Sequence, residues 1–118
     1  MERQTKTKFN KILKNHGLFY YSTADSFTAG VPDVYVCGKN GRSIWVELKK
    51  LKKGESLGHP LTVQQSVFLR DINNSGGLGL MVVELPCGSW HAERITEAGE
   101  VKKLEWKAIA IEKIIETW

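Results

Sequence analysis

Two short β-forming runs joined by a polar turn, with charged residues gathered at one end, constrain this chain more than any other feature. Val34-Tyr35-Val36-Cys37 is β-branched and aromatic and stops at Gly38. Ser43-Ile44-Trp45-Val46 is a second such run. Between them, Gly38-Lys39-Asn40-Gly41 carries the Asn-Gly pair that favours tight hairpins. The two runs are therefore expected to pair antiparallel. Side chains alternate faces along a strand, so Glu47 and Lys49 share one face while Val46 and Leu48 take the other. Folding back through the turn brings Asp33, which follows Pro32, roughly level with Glu47. Two carboxylates and an ammonium then converge at one end of a small sheet.

Those residue types suit Mg²⁺-dependent cleavage of a phosphodiester. Hard carboxylate oxygens bind Mg²⁺, which keeps several waters and coordinates substrate phosphate. The metal offsets charge in the transition state and helps generate a hydroxide nucleophile. Beside two acids, Lys49 is expected to stay charged, which favours positioning of water and stabilisation of negative charge over a role as base. An isolated Glu-x-Lys pair is also common on an ordinary surface strand. Here the preceding Pro-Asp and the apolar strands on both sides favour the metal site.

The run G-V-P-D-V-Y-V…W-V-E-L-K-K resembles the PD-(D/E)xK nuclease superfamily. More narrowly it is similar to the stand-alone VRR-NUC nucleases often found in phages, which are themselves similar to small archaeal-type Holliday junction resolvases. The resemblance covers residues 2–85 as a coarse pattern, and its specific part is residues 30–49. It implies an α/β fold with a restriction-endonuclease-like core, a mixed central β-sheet flanked by helices in the order αβββαβ. It also implies that Asp33 and Glu47 bind metal, that the backbone carbonyl of Leu48 is a further ligand, and that Lys49 is the catalytic lysine.

Further positions carry over from the family pattern. An acid on the first helix usually faces the metal. The only acid there is Glu2, which is either a ligand or a helix N-terminal acid favoured by the dipole. Lys6 and His16 occupy other positions where an acid could serve. Leu61-Thr62-Val63-Gln64-Gln65 fits the family's L-[ST]-x-x-Q pattern and gives Gln65 an active-site role. Thr62 and Gln65 also fit a capping box, and both roles are compatible. A functional loop serine of resolvase-like relatives would fall on Ser26 or Thr28, against the commoner reading of an ordinary loop hydroxyl.

The activity implied is a Mg²⁺-dependent DNA endonuclease, with Mn²⁺ as a substitute, selective for branched DNA and for four-way junctions first. A restriction-like or nicking endonuclease on duplex DNA is one alternative, and a non-catalytic nucleic-acid-binding module of the same fold is another. The two acids argue against the latter, because they would repel phosphate unless a metal neutralised them. A third reading is a partner-binding domain that uses the apolar tail.

Composition sets the bounds. The 118 residues are expected to form one domain, and at 42% hydrophobic they build a core that is not generous. A homodimer would relieve that shortage and place two sites for paired nicks. The net charge of +4 is mildly basic, but its distribution is uneven. Arg3, Lys6, Lys8, Lys11 and Lys14 crowd the N-terminus, and Lys49, Lys50, Lys52 and Lys53 cluster beside the proposed site. Lys6, Lys50, Lys52 and Lys53 are the candidate phosphate contacts. Cys37 and Cys87 have no metal spacing, and His16, His59 and His91 are scattered. With no signal peptide and no apolar run long enough for a bilayer, a cytoplasmic protein is expected, consistent with a phage gene in a bacterial host.

Along the chain, residues 2–16 read as a helix closed by Gly17. Residues 18–22 read as a strand, 23–30 as a loop, and 52–60 as a second loop. Residues 63–74 are expected to be helical, burying Val67, Phe68, Ile72 and Leu69 and ending at Gly76-Gly77. Residues 78–85 fit a buried strand, 90–95 an edge strand and 96–100 a turn. Ile111, Ile114, Ile115 and Trp118 recur at helical spacing, so residues 104–118 read as a helix, packed on its own sheet or offered to a second copy.

Overall fold

Alternation of apolar residues decides which face of each strand is buried, and the strands join into one sheet. In the computed structural model, residues 3–23, 30–54, 61–95 and 106–109 are described. They form α1 (Arg3–Asn15), β1 (Phe19–Ser22), β2 (Val34–Cys37), β3 (Ser43–Lys50), α2 (Val63–Asn74), β4 (Leu78–Glu84), β5 (Trp90–Ile95) and β6 (Trp106–Ile109). The six strands lie side by side in chain order. Every neighbouring pair is antiparallel except β3–β4, where the helix α2 makes the crossover that a parallel pair needs.

The helix α1 covers one face of the sheet. Its Thr5, Phe9 and Leu13 recur every four residues and are all buried. They meet Val34 and Val36 of β2, Ile44, Val46 and Leu48 of β3, and Leu78, Leu80 and Val82 of β4. Each such side chain contributes on the order of 1.5–3 kcal/mol by leaving water. Gly17, at φ 70°, ends the helix as expected, and the Leu18 N–H closes back on the Leu13 carbonyl at 3.1 Å.

The opposite parity gives the second face, which α2 covers at β4 and partly at β3 and β5. Gly79 lets the helix sit directly on the sheet: a Cβ there would lie 2.7 Å from the Leu69 carbonyl oxygen. This close approach corrects the expected helix core. Leu69 alone of the four named residues is fully buried, whereas Val67, Phe68 and Ile72 are half-buried because they flank the contact line.

Two further expectations are overturned. Trp106–Ile109, expected within a terminal helix, is strand β6 and pairs antiparallel with β5. The β5 strand is consequently internal and not the sheet edge. An unpaired ladder of β5 peptide groups outweighs a local helical spacing that would leave those groups unsatisfied. The rest of that tail, residues 104–105 and 110–118, the turn at 96–100, and Glu2, Ser26, Thr28 and His59 lie outside the described residues. Cys37 and Cys87 are free thiols. Among the described residues no helix is long and apolar enough to cross a membrane.

Candidate active site

The hairpin forms as the turn residues require. The Gly38 N–H donates to the Arg42 carbonyl at 2.8 Å, and Gly41, at φ 82°, reverses the chain. Val34 then faces Val46, so the next step of the register sets Asp33 beside Glu47. Glu47 is buried to 3% exposure, with Lys49 two residues further along the same face and half-buried.

One residue earlier, the register sets Pro32 opposite Leu48. Pro32 has no N–H to give, so the ladder cannot serve the Leu48 carbonyl from that position. The Leu48 N–H donates instead to Asp33 Oδ2 at 2.8 Å. The N–H and C=O of one strand residue project to the same side, which leaves the Leu48 carbonyl opening beside the Asp33 carboxylate. Thr23 fixes the other flank: its N–H donates to the Asp33 carbonyl at 2.9 Å and its hydroxyl to the Pro32 carbonyl at 2.5 Å.

Glu47 is strongly perturbed by its surroundings. Burial is the largest cause, and the hydrogen bond to Asp33 and the Asp33 charge add to it, pushing Glu47 up to about 9. Lys49 pulls the other way without offsetting them. At neutral pH the pair therefore holds a proton that a cation can displace.

The donor set fits a hard divalent ion. Mg²⁺ is commonly held by one or two carboxylates, with waters and substrate phosphate completing its shell. Asp33 and Glu47 would supply those carboxylates, and the Leu48 carbonyl would be a third oxygen. Among the described residues no group of three or more His, Cys, Asp and Glu side chains comes together. The Glu2 candidate ligand lies outside the described residues.

Gln65 forms the reciprocal capping box: its N–H donates to Thr62 Oγ1 at 3.2 Å, and its Oε1 accepts from the Thr62 N–H at 3.0 Å. The first turn of α2 abuts the loop that leads to Asp33. A Cβ at Gly30, which adopts φ 87°, would lie 2.6 Å from the Gln64 carbonyl oxygen. This backbone contact went unseen in the sequence, although Gly30 stood within the motif. The Lys6 Nζ donates to the Thr23 carbonyl at 2.9 Å, next to the strut that holds Asp33. Lys50 takes the face opposite Lys49 and helps lower the pKa of Glu84. Lys52 and Lys53 follow the strand and are exposed. His16 is exposed at the end of α1.

Comparison with known proteins bears on the fold. No family model matches the chain, and no curated protein matches it in sequence. Among solved structures it is similar to Hjc, a Holliday junction resolvase from the hyperthermophilic archaeon Archaeoglobus fulgidus, at 16% identity and a TM-score of 0.60, over 96% of this chain and 91% of that one. The structure of SSO0001 also matches, at 19% identity and a TM-score of 0.46, over 81% of this chain and 50% of the other. The mixed sheet and flanking helices of this protein are those of the Hjc-type, restriction-endonuclease-like α/β fold.

Proposed function

We propose that this protein is a Mg²⁺-dependent DNA endonuclease of the VRR-NUC type, acting on branched DNA and on four-way junctions first. The observation that carries the reading is the buried Glu47 carboxyl set against Asp33 at one end of the β2–β3 hairpin, with Lys49 on the same face. The G-V-P-D and E-L-K sequence runs and the fold shared with Hjc support it. Asp33, Glu47 and the Leu48 carbonyl would hold the ion. When bound, it supplies neutralisation of phosphoryl charge and a more acidic water. Lys49 orients the attacking water and offsets negative charge on the phosphate as it develops. Gln65 holds the start of α2 against the Gly30 loop, and Glu2 is offered as a further ligand. Lys6, Lys50, Lys52 and Lys53 contribute phosphate contacts. Residues 1–118 act as one nuclease domain, and pairing of two copies would supply the two nicks that resolution requires. The substrate places its action inside the cell.

The test is a Mg²⁺-dependent cleavage assay on four-way junction, flap, single-stranded and linear duplex DNA, with Asp33→Asn as control. Symmetric nicking of the junction, lost in the variant, is the expected result. Cleavage of plain duplex would move the assignment to a restriction-like or nicking enzyme. No cleavage of any substrate would leave a binding module of the same fold.

A further inference from the structure

On the sheet face that carries Asp33 and Glu47, α2 covers β4 and part of β5 and reaches β3, where Phe68 meets the Trp45 ring at 6.1 Å. Toward β1 the described residues leave this face bare, and the side chains there are aromatic. Tyr21 pairs in register with Tyr35, and Tyr35 with Trp45, so the three rings form one cross-strand row. The Tyr35 and Trp45 rings meet edge-on at 5.0 Å. Tyr21 is 64% exposed, and Phe19 in the next row is 66% exposed. The row stands two residues along the strands from Asp33 and Glu47, on their face, a separation of about 7 Å.

We infer that the Tyr21–Tyr35–Trp45 row is a stacking platform for unpaired nucleobases of the strand whose phosphate meets the Asp33–Glu47 pair. Large, solvent-facing aromatic residues on an edge strand are costly to leave bare and prone to association, so the surface calls for an occupant. Three features select nucleic acid. Base stacking on aromatic rings tolerates any sequence and recurs on open sheets that bind single strands. The separation of about 7 Å places the rings next to the carboxyl pair, so a phosphate at the pair and a neighbouring base over the rings can belong to one strand. Lys49 lies on this face and Lys52 and Lys53 follow the end of β3 where the phosphate would enter, and the protein carries +4 overall, which suits a polyanion. Trp45 also forms part of the wall of a cavity of about 640 Å³, with Phe68, Arg42, Ser43 and Asp71, where the outermost base of the row can end.

This inference rests on the nuclease reading and adds to it that the favoured substrate presents unpaired nucleotides next to the scissile phosphate. Binding without divalent metal separates the two. Labelled oligothymidylate, the same oligomer with abasic sites, and blunt duplex of equal length are titrated in EDTA with the parent, Tyr21→Ala and Tyr21→Phe. Tyr21 sits exposed on an edge strand, so its truncation leaves the core intact. Tyr21→Ala should weaken binding to oligothymidylate by about 5- to 150-fold, the value of one stacked base. It should change duplex binding less than about twofold, and Tyr21→Phe should restore the parent affinity. The parent should discriminate against the abasic strand and Tyr21→Ala should not. Equal loss on strand and duplex, or no loss at all, overturns the platform. A Tyr21→Ala protein that turns from dimer to monomer in sedimentation, with strand binding unchanged, overturns it in favour of an interface between copies. Intact single-strand binding with no cleavage of any substrate would sink the nuclease reading and leave the platform standing.

Discussion

Glu47 lies within β3 and Glu84 ends the neighbouring parallel strand β4; they are 3% and 4% exposed and lie on opposite faces of the same sheet. Their surroundings differ in one respect. Glu84 receives the Thr5 hydroxyl at 2.7 Å and the Lys8 ammonium at 2.8 Å, both from α1. The Lys8 hydrogen bond outweighs burial and holds its carboxyl below the usual range. Glu47 meets another carboxyl, and burial together with Asp33 pushes it up to about 9. Burial alone therefore does not decide what an acid does. Given donors, Glu84 fastens a helix to the sheet. Set against a second acid, Glu47 stays an unmet demand for positive charge, which is what a cation site requires.

Exchanging each acid for its amide should make activity and stability move apart. Glu47→Gln is expected to lower cleavage on the order of 10²–10³-fold, the scale for loss of a group that stabilises charge in the transition state. Without metal it should fold at least as stably as the parent at neutral pH, because Gln is neutral without the proton uptake that folding imposes on Glu47. Glu84→Gln should keep cleavage by the folded protein and lose about 1–2 kcal/mol of stability, since Lys8 is half in solvent. Kinetics beside denaturant melts would decide it. If Glu84→Gln were the inactive variant and Glu47→Gln merely unstable, the roles assigned to the two faces would be reversed.

Little of this contrast could be read before folding. Glu47 stood out because a hairpin turn, Pro32 and Asp33 all lie within fifteen residues of it and local geometry assembles them. Glu84 only ends an apolar run, and the residue that settles its role, Thr5, is 79 positions away. Strand β6 was missed for a related reason. Trp106–Ile109 has nothing local to mark it as a strand, and its partner β5 supplies the missing reason through the ladder. By contrast α1 was legible, because its period and its closing Gly17 are local signals. Gly30 shows the middle case: its place in the motif was visible, but its contact with the first turn of α2 was not.

The lysines sharpen the comparison further. Lys49 shares the Glu47 face, so Lys49→Ala should lower the rate by about 100-fold while Mg²⁺ affinity changes little. A Mg²⁺ titration of both proteins would expose the opposite result. Neutralising Lys52 and Lys53 should reduce the salt slope of DNA binding by up to about 1.8, at roughly 0.9 for each phosphate that no longer meets a lysine. Lys50 lies toward Glu84, so Lys50→Gln by itself should register more in stability than in that slope. A drop of a full unit in the slope for Lys50→Gln alone would place DNA over the α1 face.

The pH dependence of stability separates the two acids most cleanly. Glu47 has a folded pKa of about 9 against an ordinary value near 4.5, so the folded protein holds its proton where the unfolded chain does not. The stability it contributes is fully present below about pH 4.5 and is lost as pH rises through 9. For one proton the slope cannot exceed about 1.4 kcal/mol per pH unit. Glu84 has the opposite sign: its contribution is present above the ordinary carboxylate pKa and is lost as pH falls through its lowered folded value. Denaturant midpoints between pH 5 and 9 should therefore fall for the parent and for Glu84→Gln but stay level for Glu47→Gln. Below that range, Glu84→Gln should flatten the acid limb. Mg²⁺ competes with the Glu47 proton, so the stabilisation it gives should grow across the same interval. A Glu47→Gln protein that keeps the alkaline slope would mean that the proton sits elsewhere, and the carboxyl pair would lose its claim to the metal.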